Sequence, residues 1–416
     1  MELKFNGLPE GMAFYLPEKA RSLDLLKNNG QEILESFGYE PLYVPALLPY
    51  SLVCSGVEKE KVKNYYKLID YQGDILVLRP EMTSAIASLV AREQDNITFP
   101  ARFYYYSSVY RHETTQSGKD REIYQLGAER FGGSEDADIE ILLLVQKIIE
   151  TAGLDDFQVE VGNINFLEEV FLNLELDEEL VKKLKAKLAS RDLVGYRNIC
   201  LELEKDKKEK LLKLLELRGG PEILAKAENI IDGKNNSINH LKKIYESLKL
   251  IGMAKRINFD LTLMRNLDYY TGIVFEVMSP NLGYNICGGG RYDKLLSRFG
   301  VDSIPAVGFA IGMERLRLAV NGGQSLDKSK KLKIYISSVN NLGKSYEMIM
   351  ALQNKGYETL VEYGDFENKK LVGNEMKIKM NKNDAFEIYA EKENRNFEKI
   401  AGVLEYVETE FKDSDA

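Results

Sequence analysis

A β-strand that carries charge on both faces cannot simply rest one face on an apolar core, and residues 121–131, REIYQLGAERF, read as such a strand. Side chains alternate along a strand, so Arg121, Ile123, Gln125, Gly127, Glu129 and Phe131 share one side. Glu122, Tyr124, Leu126, Ala128 and Arg130 take the other. Gln125 and Glu129 flank Gly127, which leaves a gap that a ligand could fill; an exposed sheet face with a salt bridge explains the strand equally well. Two further stretches put polar residues where a sheet should be apolar: LMRNLDYYTGIVFE (263–276), and CGGGRYDKLL (287–296) leading to PAVGFAIGMERL (305–316). Together they outline a pocket for a small zwitterion with a polar ring.

Each candidate residue suits that chemistry in its own way. Glu81 and Thr83, at the strand-to-helix step RPEMTS, can accept hydrogen bonds from an α-ammonium, although helix capping is the ordinary use of such a Glu. Arg111 ends the strand before 121–131, where its guanidinium can hold a carboxylate or phosphate oxygen in bidentate fashion. Arg265 closes an expected strand over 257–265 and offers a second such fork. Tyr269 and Tyr270 combine a flat apolar body with a hydroxyl, which fits a heteroaromatic ring. The three glycines of CGGGRYD read as a turn that permits close backbone approach, with Arg291 and Tyr292 following. The spacing matches neither common phosphate-loop pattern. Arg315, near the start of a helix, reads on its own as a surface or structural arginine.

Around these stretches the pattern is α+β. An amphipathic helix is expected over 18–37, with Leu23, Leu26, Ile33, Leu34 and Phe37 on one face and Gly38 as its stop. Strands are expected at 42–44, at 75–78 (buried), at 102–110 and 121–131 joined by the polar loop 112–120, at 157–161, 257–265, 273–278 and 305–311. Helices are expected at 83–92, 137–152 and from about 313. The stretch 165–250 is rich in Leu, Lys and Glu with alternating charge, which reads as a solvated helical insertion in a core domain spanning 1–320. Residues 321–330, NGGQSLDKSK, read as a linker, and 331–416 as a small C-terminal α/β domain with a strand at KIYISSV and a helix at 343–355.

Composition removes several function classes. The net charge is −9, which disfavours nucleic acid as a partner. Two histidines, His112 and His240, argue against a His-ligated metal site, and no cofactor is called for. Three well-separated cysteines form no disulfide framework and fit a reducing cytoplasm. No apolar run is long enough to cross a membrane, and MELKFNGLPEGM has no signal-peptide core.

YRHETTQSGKDREIYQLGAERFG (110–132) and AVGFAIGMERL (306–316) resemble motifs 2 and 3 of class II aminoacyl-tRNA synthetases. LMRNLDYYTGIVFE and CGGGRYDKLL resemble the histidine-specific motifs of the histidyl members. The resemblance covers about residues 5–320. It implies a class II synthetase-like antiparallel sheet flanked by helices, a self-dimer through the core, and L-histidine contacts at Glu81, Thr83, Arg111, Gln125, Glu129, Arg265, Tyr269 and Tyr270, with Tyr292 nearby. The same core is found in the regulatory subunits of ATP phosphoribosyltransferase, whose opening and central regions LPEGMAFYLPEKA and LRGGPEILAKA are similar to. In motif 2 a synthetase usually has Arg-Pro and Arg-Tyr where this chain has Thr114–Thr115 and Lys119–Asp120, which works against tight binding of ATP. Residues 331–416 hold 13 Lys or Arg against 16 Asp or Glu, and show no basic stripe of an anticodon-binding domain. The resemblance therefore implies a non-catalytic regulatory subunit. Its partner is a short-form catalytic subunit, and its role is in the first step of histidine biosynthesis with histidine as feedback signal. The alternative is histidyl-tRNA synthetase, which the retained Arg265 favours.

Overall fold

The fold was described from a computed structural model. It covers residues 7–54, 62–112, 120–230, 236–265, 269–320, 333–337, 342–362, 375–380, 385–389 and 394–411. The chain divides into two compact units, Met1–Asp327 and Lys328–Ala416. The expected linker at 321–330 lies outside the described residues.

The first unit opens with the helix Pro17–Ser36. Proline sits in its first turn, beside Glu18, where a missing N–H and a negative charge both suit a helix start. Leu23, Leu26 and Leu34 lie on its buried face, and Ile33 and Phe37 pack beside them, as the periodicity predicts. Gly38 takes φ 78 and closes the helix, so that Tyr39 N–H can donate to the Leu34 carbonyl at 3.1 Å. The strands then follow: β1 Glu40–Pro41, β2 Leu47–Pro49, β3 Lys67–Ile69, β4 Ile75–Leu78, β5 Ala101–Tyr110, β6 Glu122–Phe131, β7 Gln158–Asn163, β8 Arg218–Gly219, β9 Ile257–Asp260, β10 Ile273–Met278, β11 Cys287–Arg291 and β12 Ala306–Gly312.

Nine of them form one sheet in the order β1-β5-β6-β12-β11-β10-β7-β9-β8, antiparallel except at β1–β5 and β7–β9. The remaining three, β2, β4 and β3, make a small sheet of their own. The helix Ala137–Thr151 packs on the large sheet, and its Leu142, Val145 and Ile149 share one apolar cluster with Leu126 and Ala128 of β6. The opposite face of β6 joins a second cluster through Ile123 and Phe131. The strand with two polar faces therefore separates two cores, as a buried central strand must.

Several expected boundaries move. The residues 42–44 are not in a strand; pairing starts at Glu40, and Leu42 only donates its N–H to Tyr104. Strand β4 is not buried as a whole: Val77 packs in a small cluster with Leu48, Val53 and Ala85, while Ile75, on the same face at the start of the strand, lies outside that cluster and is exposed. Strand β9 stops at Asp260, five residues short of Arg265, because the Asp260 carboxylate accepts the Thr262 N–H (3.0 Å) and hydroxyl (2.7 Å) and turns the chain. The CGGG stretch is not a turn but the interior strand β11.

The stretch expected as a solvated insertion holds helices at Ile164–Asn173, Glu178–Ala189, Leu193–Leu201, Lys205–Leu214, Glu222–Glu228 and Asn236–Leu250. Asn163, Asp177 and Asp192 cap three of them through side-chain oxygens. Their charges face water, but their apolar faces do not form a separate body: Leu184, Tyr196, Leu211 and Leu241 belong to the same cluster as the sheet. The stretch also supplies β8 to the sheet edge.

In the second unit, β13 Lys333–Ser337, β14 Glu358–Glu362, β15 Glu375–Met380, β16 Phe386–Tyr389 and β17 Asn394–Phe397 form a sheet in the order β14-β13-β15-β16-β17. Helices Leu342–Gln353 and Ile400–Phe411 accompany it around Ile336, Met348, Ile388 and Val403. Among the described residues no helix is long and apolar enough to cross a membrane, and no cluster of acidic, His or Cys side chains is set to hold a metal ion.

Candidate functional site

The site is built on a floor of small residues. Across β6, β12 and β11 the Cα register aligns Gly127, Ala310 and Gly288 in one row, and Glu129, Gly308 and Gly290 in a row two residues along, on the same face. A Cβ on Gly308 would overlap the Glu129 carboxylate, and one on Gly288 would overlap the Arg265 guanidinium. A Cβ on Gly290 would press on the Tyr270 ring at 2.9 Å. Glycine is required here because side chains from elsewhere lie flat on the strands.

Glu129 stands at one end, 1% exposed. Its Oε1 accepts from the Thr83 hydroxyl at 2.7 Å, and its Oε2 accepts from the Tyr292 hydroxyl. Burial pushes its carboxyl up to about 8; nearby Glu81 adds to the rise, while the two hydroxyl donors oppose it. Glu81 is also buried and accepts the Ser84 N–H at 3.1 Å, which caps the helix Thr83–Arg92. Capping and a place beside the pocket are thus compatible. The phenols of Tyr105, Tyr269 and Tyr292 are pushed well above their usual range by burial, so they stay neutral donors.

The tyrosines run from this acidic end to a basic one. The Tyr292 ring meets Tyr269 edge-on at 5.6 Å, and Tyr269 lies 4.9 Å from Tyr270. The Arg265 guanidinium is 5.9 Å from the Tyr270 ring. Arg265 donates to the Phe275 carbonyl at 3.1 Å, and its buried Nε has no partner among the described residues. The arrangement offers two buried carboxyl groups, an aromatic wall and a guanidinium with donor capacity to spare, which complements a zwitterion carrying a ring.

The structure brings Glu81, Thr83, Glu129, Arg265, Tyr269, Tyr270 and Tyr292 together. Arg111 is held beside them: its Nε donates to the Pro80 carbonyl at 2.7 Å, next to Glu81. Gln125 shares the face of Glu129 but sits four residues away on β6, roughly 13 Å along an extended strand. The gap expected at Gly127 is not open; the ring of Tyr105, its cross-strand neighbour on β5, fills it. Sequence reasoning passed over Tyr105, Gly308 and Glu276. Glu276 had a signal, a lone charge inside the apolar strand IVFEVM; Tyr105, inside FYYYSS, had none. Arg291 turns away and forms a buried ion pair with Asp138 at 2.6 Å. Arg315 donates to Asn285 and stacks on Tyr284, 5.0 Å from the ring.

The family model described as Histidyl-tRNA synthetase matches residues 11–316. The ATP phosphoribosyltransferase regulatory subunit of Halothermothrix orenii is 38% identical over 356 residues, 85% of this chain and 85% of its own length. That of Moorella thermoacetica is 38% identical over 317 residues, 75% of this chain and 81% of its own. The chain belongs to the ATP phosphoribosyltransferase regulatory subunit family. A crystal structure from Bacillus halodurans, described as an ATP phosphoribosyltransferase regulatory subunit/histidyl-tRNA synthetase, superposes with TM-score 0.78 at 31% identity, covering 88% of this chain and 95% of that one. A histidyl-tRNA synthetase from a Nostoc species covers 99% of this chain and 100% of its own with TM-score 0.79; at 21% identity it shows the fold alone. This member of the regulatory-subunit family carries the acidic and aromatic set described above. Of its motif 2 departures, Thr114, Thr115 and Lys119 lie outside the described residues, whereas Asp120 is exposed and close enough to Tyr15 and Glu314 to act on their charge.

Proposed function

We propose that this chain is the regulatory subunit an ATP phosphoribosyltransferase requires for the first step of L-histidine biosynthesis, and that its pocket holds free L-histidine as the end-product signal. The single observation that supports this most is the pairing of the buried carboxyl groups of Glu81 and Glu129 with Arg265 across a wall of tyrosines. Glu129 takes the imidazole N–H. Glu81 and Thr83 take the α-ammonium, and Gln125 approaches it from farther along β6. Arg265 and Arg111 take the carboxylate, and Tyr269, Tyr270 and Tyr292 enclose the ring. The partner is a short-form catalytic subunit, the core pairs with a second copy of itself, and the complex works in the cytoplasm.

Feedback then needs only that histidine bind one conformation of the assembly better than another, with a coupling of about 1–3 kcal/mol. The competing reading, a histidyl-tRNA synthetase, requires the same pocket to activate histidine with ATP. Asp120 and the exchange of the two motif 2 arginines for Thr114 and Lys119 speak against a triphosphate clamp. Two measurements on the purified chain test the proposal. Calorimetry is expected to show histidine binding, and ATP–pyrophosphate exchange at saturating histidine is expected to be absent. Exchange above background, or no heat with histidine, contradicts it.

A further inference from the structure

Strand β10 sets Glu276 on the pocket face of the sheet, in register with Gly288 on one side and Glu160 on the other. The Arg265 guanidinium lies over Gly288, so Glu276 is its neighbour, with Oε1 3.9 Å from Nη1. That is too long for a hydrogen bond. The other oxygen, Oε2, accepts a 2.6 Å hydrogen bond from the Arg191 guanidinium. Arg191 comes from the turn between the helices Glu178–Ala189 and Leu193–Leu201. It holds φ 56 there, and the turn is fixed by its N–H donating to Leu188 and by Asp192, which caps the next helix and pairs with Lys187. One carboxylate thus stands between two arginines, one at the edge and one inside the pocket.

We propose that Arg191 is a positioning residue for the ligand pocket: by holding Glu276, it keeps the Arg265 guanidinium free for the carboxylate of the bound amino acid. This rests on the histidine reading of the pocket given above. The Glu276 side chain is 14% exposed and faces Glu160, which Arg218 already engages. A carboxylate so placed does not stay unpaired. Without Arg191 the nearest cation to Glu276 among the described residues is Arg265, and closing the 3.9 Å gap between them sets Glu276 in competition with the ligand carboxylate for that guanidinium. The helical stretch 164–250 and the pocket are then joined through a charged relay, Arg191–Glu276–Arg265.

Calorimetric titration with L-histidine, and with histamine, which lacks the carboxylate, tests this. Arg191→Met is expected to weaken histidine binding about tenfold and to leave histamine within about twofold. Adding Glu276→Gln to that variant is expected to restore histidine binding, and Arg191→Lys to restore part of it. Unchanged histidine affinity in Arg191→Met, equal losses for both ligands, or no recovery in the double variant overturns the proposal. If Arg191→Met does not fold, Glu276→Gln alone decides: binding at least as tight as wild type supports the relay, and weaker binding overturns it. Wild-type protein that binds no histidine overturns the pocket reading and this inference with it, whereas wild-type binding that ignores Arg191 overturns this inference alone.

Discussion

Glu129 is the residue on which the electrostatics of the pocket turn. Its pKa in the fold, about 8, lies above the value of about 4.3 for a carboxyl in an unfolded chain. Between those values the folded protein holds a proton that the unfolded chain gives up. The ligand-free protein therefore loses stability as pH rises through that window, and loses no more from this group above it. Glu129→Gln removes the titration, so denaturant melts at pH 5 and pH 8 are expected to differ less in the variant than in the wild type. Glu129→Ala leaves the ligand donor without its acceptor and is expected to cost histidine binding about 1–3 kcal/mol by calorimetry. Alternation along one strand was enough to single out Glu129 and Gln125 from the sequence. It could not reveal that Tyr105 fills the space over Gly127, because that contact depends on register with a neighbouring strand. Nor could it choose between a capping role and a pocket role for Glu81, which sits where it can have both.

At the scale of elements, strand β11 is the least legible part of the chain. Three consecutive glycines signal a turn by local propensity, yet here they pave an interior strand because Arg265 and Tyr270 lie against it. Gly288→Ala is accordingly expected to displace the Arg265 guanidinium and to weaken histidine binding about tenfold or more while circular dichroism stays unchanged. The helices were easier, since Pro17, the Leu spacing and Gly38 mark the first one at both ends. The role of the stretch 164–250 was harder. Its composition announces solvated faces correctly, but says nothing of where the apolar faces go. Because Leu211 is fully buried in the cluster that also holds Leu126 and Val161, Leu211→Ala is expected to destabilise the whole first unit by about 2–5 kcal/mol. Thermal melts followed by two probes, one in the helices and one in the sheet, are expected to coincide; a separate early transition of the helices contradicts that packing.

At the scale of the molecule, a synthetase-type core is joined in sequence to an acidic α/β unit, and the family assignment rests on relatives that match most of the chain. The motifs that identify the family are the ones that build the glycine floor and its acidic and basic ends, which is why the pocket was legible where the partner's docking face was not: a pocket needs rare residues at fixed spacing, and a protein interface does not. The central claim is that the pocket reports histidine to a partner enzyme. A transferase assay of the short-form catalytic subunit reconstituted with this chain, titrated with L-histidine, tests it most directly. Activity is expected to require this chain and to fall as histidine rises, with the fall shifted to higher histidine in the Glu129→Ala variant. A catalytic subunit that is equally active without this chain, or a complex indifferent to histidine, contradicts the claim.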